Sequence, residues 1–278
     1  MRQLAETGHA VVVFHRGHTE AELPETVQHV RWPDGATSLQ NFPEEVLRFT
    51  PDVVVHTIAM TQESARSPVQ AFRSRAGRLV ALSSGDVYLA YGRFTRLEPG
   101  PVEAMPLRED SPLRTTLYPY REKAASPADM LYHYEKILVE QEIMEDTILP
   151  GTVLRLPKVY GPCGDADFAT VYRYRRHPHW RWTHGYVENV AAAIVLATVH
   201  PQAAGRVFNI GEEWTPTVEE RLAMLPISTM PEDDSGSLDF RQDMVYDTQR
   251  IRVELGYQEI VEYAEGIQRT IDSLRKHK

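Results

Sequence analysis

The chain holds a single cysteine, Cys163, in 278 residues, so no disulfide can form within it. Such a chain suits a reducing compartment, and the expected location is cytoplasmic. Long apolar runs are also missing: no stretch of 18 apolar residues occurs, which excludes a spanning helix on length. The opening residues lack the apolar core of a secretion signal. Cations are in the minority, 30 Lys and Arg against 39 Asp and Glu, and the formal charge of −9 opposes broad binding to nucleic acid or acidic membrane. Internal repeats are absent. His177, His179 and His184 have no carboxylate or thiol partner at ligand-like spacing, so no metal site is expected.

What is present alternates. Apolar runs at 10–14, 53–56, 79–82, 152–156 and 207–210 are separated by helical stretches. That alternation indicates a mostly parallel sheet with helices on both faces. The Ala-rich segment 188–199 is the clearest helix, and a last helix is expected over about 260–276, ending in cations that suit a helix C-terminus. With 278 residues, one α/β domain and a small cap can each bury a core.

Two segments carry chemistry. Tyr132 and Lys136 stand four residues apart, and a continuous helix would project both from one face. A neighbouring ammonium favours the phenolate, which can then exchange a proton with a substrate hydroxyl. Ser84, at the end of the strand 77–84, can hydrogen-bond the same oxygen. A solvent-facing helix whose Tyr and Lys merely cover apolar neighbours is the bland alternative.

In this order these residues resemble the extended short-chain dehydrogenase/reductase family, the NAD(P)-dependent epimerase/dehydratase group. The likeness spans almost the whole chain. Ser84 matches the family's catalytic Ser/Thr, with two residues between it and Val87-Tyr88, Tyr132 and Lys136 match YxxxK, and 154–162 is similar to the RxxNVYGP stretch. Residues 205–211 match G-x-V-x-N-I-G, and 247–257 resemble the closing helix. The resemblance implies a Rossmann-like, doubly wound parallel sheet of the α/β class and a small discontinuous α/β substrate domain. The expected division is 1–157 plus 187–211 for the dinucleotide, and 158–186 plus 212–278 for the substrate.

The pattern is broken in three places. The family's first strand and its Gly-rich phosphate turn are not found, and Met1 to His9 reads as the end of the first helix. The expectation is an N-terminally shortened sequence, with the neighbours of a missing central strand left unpaired. Ser84 and Tyr132 are separated by a long Pro-, Arg- and Glu-rich insert, 89–130, in which Tyr118-Pro119-Tyr120-Arg121 could touch a substrate. Lys158 stands where relatives keep an Asn that touches nucleotide sugars; a lysine there can meet a phosphate or carboxylate.

By the resemblance, Ser84, Tyr132 and Lys136 are catalytic. Arg16, Asp34, Thr57, Ala59, Met60, Lys136 and Pro157 are expected at the cofactor. No acid follows the strand 10–14 before Glu20, so Arg16 favours NADP over NAD. The substrate is expected to be an anionic small molecule, sugar-like or a nucleotide sugar, met by Ser84, Asp86, Lys158, Arg173, Arg175 and Arg176. Gly85 stands beside Asp86 where dehydratases often keep a second acid, which disfavours a full dehydratase mechanism. A homodimer is the assembly allowed for. The competing function is a non-catalytic member of the fold that binds a nucleotide, RNA or a protein partner.

Overall fold

The computed structural model describes residues 1–17, 22–32, 42–162, 168–233 and 236–276. Asp34, expected at the adenine, and Cys163 lie outside the described residues. The strands are β1 (Val12–His15), β2 (Gln28–Arg31), β3 (Val53–His56), β4 (Arg78–Ser84), β5 (Gly151–Leu156), β6 (Lys158–Tyr160), β7 (His184–Tyr186) and β8 (Arg206–Asn209). Helices α1 (Arg2–Glu6), α2 (Glu44–Leu47), α3 (Gln62–Phe72), α4 (Leu89–Phe94) and α5 (Met130–His133) occupy the first half. They are followed by α6 (Lys136–Met144), α7 (Ala169–Arg173), α8 (Val187–Val199), α9 (Val218–Leu222), α10 (Gln249–Leu255) and α11 (Tyr263–Lys276).

Every named strand pair is parallel, as the alternating pattern requires. The main sheet runs in the order β3-β4-β5-β8, and β1-β2 and β6-β7 form two separate pairs. β4 and β5 are the inner strands, and Val80, Ala81, Val153 and Leu154 are fully buried. Apolar residues fill both faces. On one, Phe72 and Leu79 pack with Val139 and Ile143; on the other, Leu154, Ala193 and Phe208 pack with Ile251 and Leu255.

α10 packs on β8 and shares the main sheet's core. A second core joins residues of β6, β7, α7 and α9 with Ile267 and Ile271 of α11. Among the described residues β1 bonds only to β2 and β3 only to β4, and all eight residues of β1 and β3 are half-buried.

Candidate active site

The turn after β3 is set by a capping box. The Thr61 side chain accepts from Ser64 N at 3.1 Å, while Ser64 Oγ accepts from Thr61 N at 2.9 Å and Met60 N at 3.1 Å. This leaves the Ala59 carbonyl, on a fully buried residue, facing Lys136: the ammonium donates to Ala59 O at 2.6 Å and to Leu82 O at 2.9 Å. Burial lowers the Lys136 pKa from 10.5 to about 8, against the pull of Asp86 and Glu140.

Tyr132 and Lys136 do not share a helix. α5 ends at His133, Tyr134 and Glu135 are extended, and α6 begins at Lys136. The break is fixed by tertiary contacts rather than propensity. Glu135 N donates to Met60 O at 3.0 Å, and the Glu135 carboxylate caps Ile137 N at 2.9 Å. The same carboxylate accepts from Arg114 at 3.1 Å and from Tyr118 N at 2.5 Å, with both charged side chains fully buried. A helix through Glu135 would give up all of these.

The Tyr132 ring packs on Arg121 instead. The Arg121 guanidinium lies 4.7 Å from its centroid and 3.8 Å from that of Tyr118, and Arg121 Nε donates to Tyr132 O at 3.1 Å. The phenol beside Lys136 is that of Tyr134, whose ring centroid is 5.8 Å from the ammonium. The Tyr134 hydroxyl donates to Asp86 Oδ2 at 2.8 Å, with the Ser84 hydroxyl beside it.

Asp86 is the centre of the cluster. It lies in the 3-10 turn after β4, where Ser84 Oγ accepts from Asp86 N at 3.3 Å. Tyr120, from the insert, donates to the same Oδ2 at 2.9 Å, and Tyr91 Oη lies 2.9 Å from Tyr120 Oη. The other oxygen, Oδ1, is buried and has no hydrogen-bond partner among the described residues. Burial raises the Asp86 pKa, opposed by Tyr134, Arg114, Tyr120 and Lys136. Burial and the Asp86 charge both raise Tyr134, and Tyr91 is pushed up to about 12, mainly by burial. Gly85 is required here: a Cβ on it would meet the Tyr246 hydroxyl at 1.6 Å, so a second acid has no room.

The insert is therefore no free excursion. Arg114 N donates to Val87 O at 2.8 Å, and Glu98 accepts from Thr115 N at 2.8 Å, Thr115 Oγ1 at 3.0 Å and Thr116 N at 2.7 Å. α4 supplies Phe94, stacked on Trp180 with centroids 4.9 Å apart. Tyr118 takes a left-handed φ of 59°, a strained conformation for a non-glycine residue that these anchors hold.

The expected anion-binding set does not converge. Arg175 Nε donates to Glu232 at 2.6 Å and Arg176 pairs with the same carboxylate, while Arg173 is exposed. Lys158 holds its ammonium 5.6 Å from the Trp182 ring centroid. The apolar residues interleaved with these arginines, Tyr172 and Trp180, are core, which explains the segment's composition. Among the described residues no cluster of His, Cys, Asp or Glu is arranged to hold a metal ion, and no helix is long and apolar enough to cross a membrane.

For a dinucleotide the fit is partial. Lys136 meets the Ala59 carbonyl next to Met60 beyond β3, and Pro157 is buried just beyond β5, on the rim where ligands bind in open α/β sheets. Thr57 is exposed beyond β3, and Arg16 is exposed at the end of β1. No glycine-rich turn among the described residues offers a pyrophosphate cradle. Tyr134, Arg114 and Glu135 were not anticipated, whereas Tyr120 lies in the insert segment expected to reach a substrate. The second tyrosine, two residues before Lys136, was the visible signal, and an assumed helix hid it.

No known family pattern matches the chain, and no characterised protein sequence does. Solved structures do match in fold. Bordetella bronchiseptica WbmG, solved in complex with NAD, is 17% identical over 99% of this chain and 89% of its own, with a TM-score of 0.70. The UDP-glucose 4-epimerase of Thermotoga maritima, solved with UDP-glucose, is 20% identical over 99% and 94%, with a TM-score of 0.64. An epimerase of Methanothermobacter thermautotrophicus is 18% identical over 99% and 87%, with a TM-score of 0.65. This chain has their fold, with parallel strands and helices in the Rossmann-like arrangement.

Proposed function

We propose that the chain belongs to the extended short-chain dehydrogenase/reductase family and acts at a hydroxyl or carbonyl of a sugar-like substrate, of the nucleotide-sugar class, with a nicotinamide dinucleotide. The observation that carries this reading is the meeting of Ser84, Asp86, Tyr134 and Lys136 at the C-terminal ends of β3 and β4. The fold neighbours add support, since two of them were solved with NAD or UDP-glucose.

In this reading Tyr134, not Tyr132, exchanges the proton with the substrate oxygen. Its raised pKa keeps the phenol neutral near pH 7, the form that donates to a carbonyl oxygen. Ser84, beside that phenol, orients the same oxygen, and the unpartnered Asp86 Oδ1 accepts from a second substrate hydroxyl. Lys136 stands at the phenol and at the Ala59 carbonyl, where it would meet a ribose. A bound nicotinamide supplies acceptance and return of hydride. Arg16 at the end of β1 favours NADP over NAD.

The test is conversion of UDP-hexoses and UDP-hexuronic acids in the presence of NAD or NADP, followed by product analysis. Conversion that Ser84→Ala reduces and Tyr134→Phe lowers by roughly 10²–10⁴ supports the reading. Dinucleotide binding with no conversion of either sugar class overturns it in favour of a binding protein.

A further inference from the structure

A neutral phenol donates a proton readily, but the reverse direction needs somewhere for its own proton to go. Lys136 does not accept it: its ammonium already donates to two backbone carbonyls. The group that Tyr134 touches is Asp86 Oδ2, at 2.8 Å. Asp86 is 5% exposed, and among the described residues its surroundings are Lys136, Arg114, Tyr91, Tyr120, Tyr134 and Tyr246. Arg114 spends its Nε on the Asp86 backbone carbonyl and an Nη on Glu135, so neither cation bonds the Asp86 carboxylate directly. Only phenols do.

We propose that Asp86 is the proton acceptor behind Tyr134, forming a two-step relay from the substrate hydroxyl, and that Tyr120 of the insert is the positioning residue that holds its carboxylate in line. Two O–H bonds break and two form. The substrate hydroxyl gives its proton to Tyr134 Oη as the phenol proton passes to Asp86 Oδ2, and one negative charge moves from the carboxylate to the substrate oxygen. No electrons are transferred in the step. The carboxylate's lack of a direct cation partner favours its protonation, and burial works in the same direction. Tyr120 reaches Oδ2 at 2.9 Å and is backed by Tyr91, so the long insert contributes to the chemistry by fixing one oxygen. The relay rests on the reading of Tyr134 as the group that meets the substrate oxygen.

The experiment needs no substrate. The full chain is labelled with ¹³C at Tyr Cζ and Asp Cγ and titrated by NMR from pH 4 to 11. The Asp86 Cγ signal is expected to titrate above the ordinary carboxylate range, with a matching step in Tyr134 Cζ at the same pH. Tyr120→Phe removes a hydrogen bond to the ionised form, so the shared step moves up by about one pH unit; a merely structural role for Tyr120 leaves it in place and overturns that assignment. In Asp86→Asn the shared step vanishes and Tyr134 ionises at lower pH than in the wild type. A Tyr134 signal flat through the Asp86 titration overturns the relay, and the wild-type spectrum alone decides this if either variant misfolds. Loss of conversion in Tyr134→Phe alongside a flat signal would remove the relay and leave the functional reading; retained conversion would remove that reading.

Discussion

The two ends of the candidate site are built differently. At the end around Asp86, the side chains of Asp86, Glu135, Arg114 and Lys136 are buried and bonded through groups up to 77 residues apart in sequence. The aromatic core behind them stacks Phe94 on Trp180. At the other end, β1 and β3 are both edges among the described residues, half-buried throughout, with β1 bonded to β2 and β3 to β4. Redundant anchors hold side chains to within a few tenths of an ångström, the tolerance that proton transfer demands. The end at β1 and β3 is the open one, with fewer such constraints.

Breaking the buried anchor should cost most. Arg114→Ala leaves Glu135 charged and unpaired in a fully buried position, and denaturant unfolding should show a loss of about 3–5 kcal/mol. The two ends can then be compared through one residue type. Phe94→Ala, at 2% exposure, should lose about 3–5 kcal/mol, whereas Phe14→Ala in half-buried β1 should lose roughly half as much. Equal losses in the two variants would erase the distinction.

A pH-dependent test follows from Lys136. Its folded pKa of about 8 lies below the ordinary 10.5, so between these values the unfolded chain binds more protons than the folded one. Stability relative to Lys136→Met should therefore rise from pH 8 to 10.5, by on the order of 3 kcal/mol, and that gain should be lost as pH falls through 8. A flat difference would mean the ammonium is better solvated than its 4% exposure indicates. The smallest expected effect is at the open end: Arg16→Ala should narrow a preference for NADP over NAD in equilibrium titration, with stability unchanged within about 0.5 kcal/mol.

Much of this architecture was legible in the residues. The run 53–56 became β3 with the same bounds, and the Ala-rich segment 188–199 became α8 with one residue added. Both signals are local: β-branched residues in one case, Ala and periodicity in the other. What sequence spacing obscured was set by distant contacts. Nothing local to 132–136 shows that Glu135 must be extended to reach Arg114 and Tyr118. Nor does the insert's composition show that Tyr120 would land on Asp86, 34 residues upstream. The arginines of 173–176 read as an anion site because Glu232, which Arg175 and Arg176 meet, lies more than 50 residues on.

The central claim is that the phenol at Lys136 and Asp86 belongs to Tyr134. Side-by-side turnover of Tyr134→Phe and Tyr132→Phe, on the UDP-sugar that the wild type converts, tests it most directly. Each substitution removes one hydroxyl and keeps the ring. The account expects Tyr134→Phe to lose roughly 10²–10⁴ in turnover, the loss of a general acid/base, with Tyr132→Phe within about threefold of wild type. The opposite ranking would contradict it and return the role to Tyr132 on a helix that closes through Glu135.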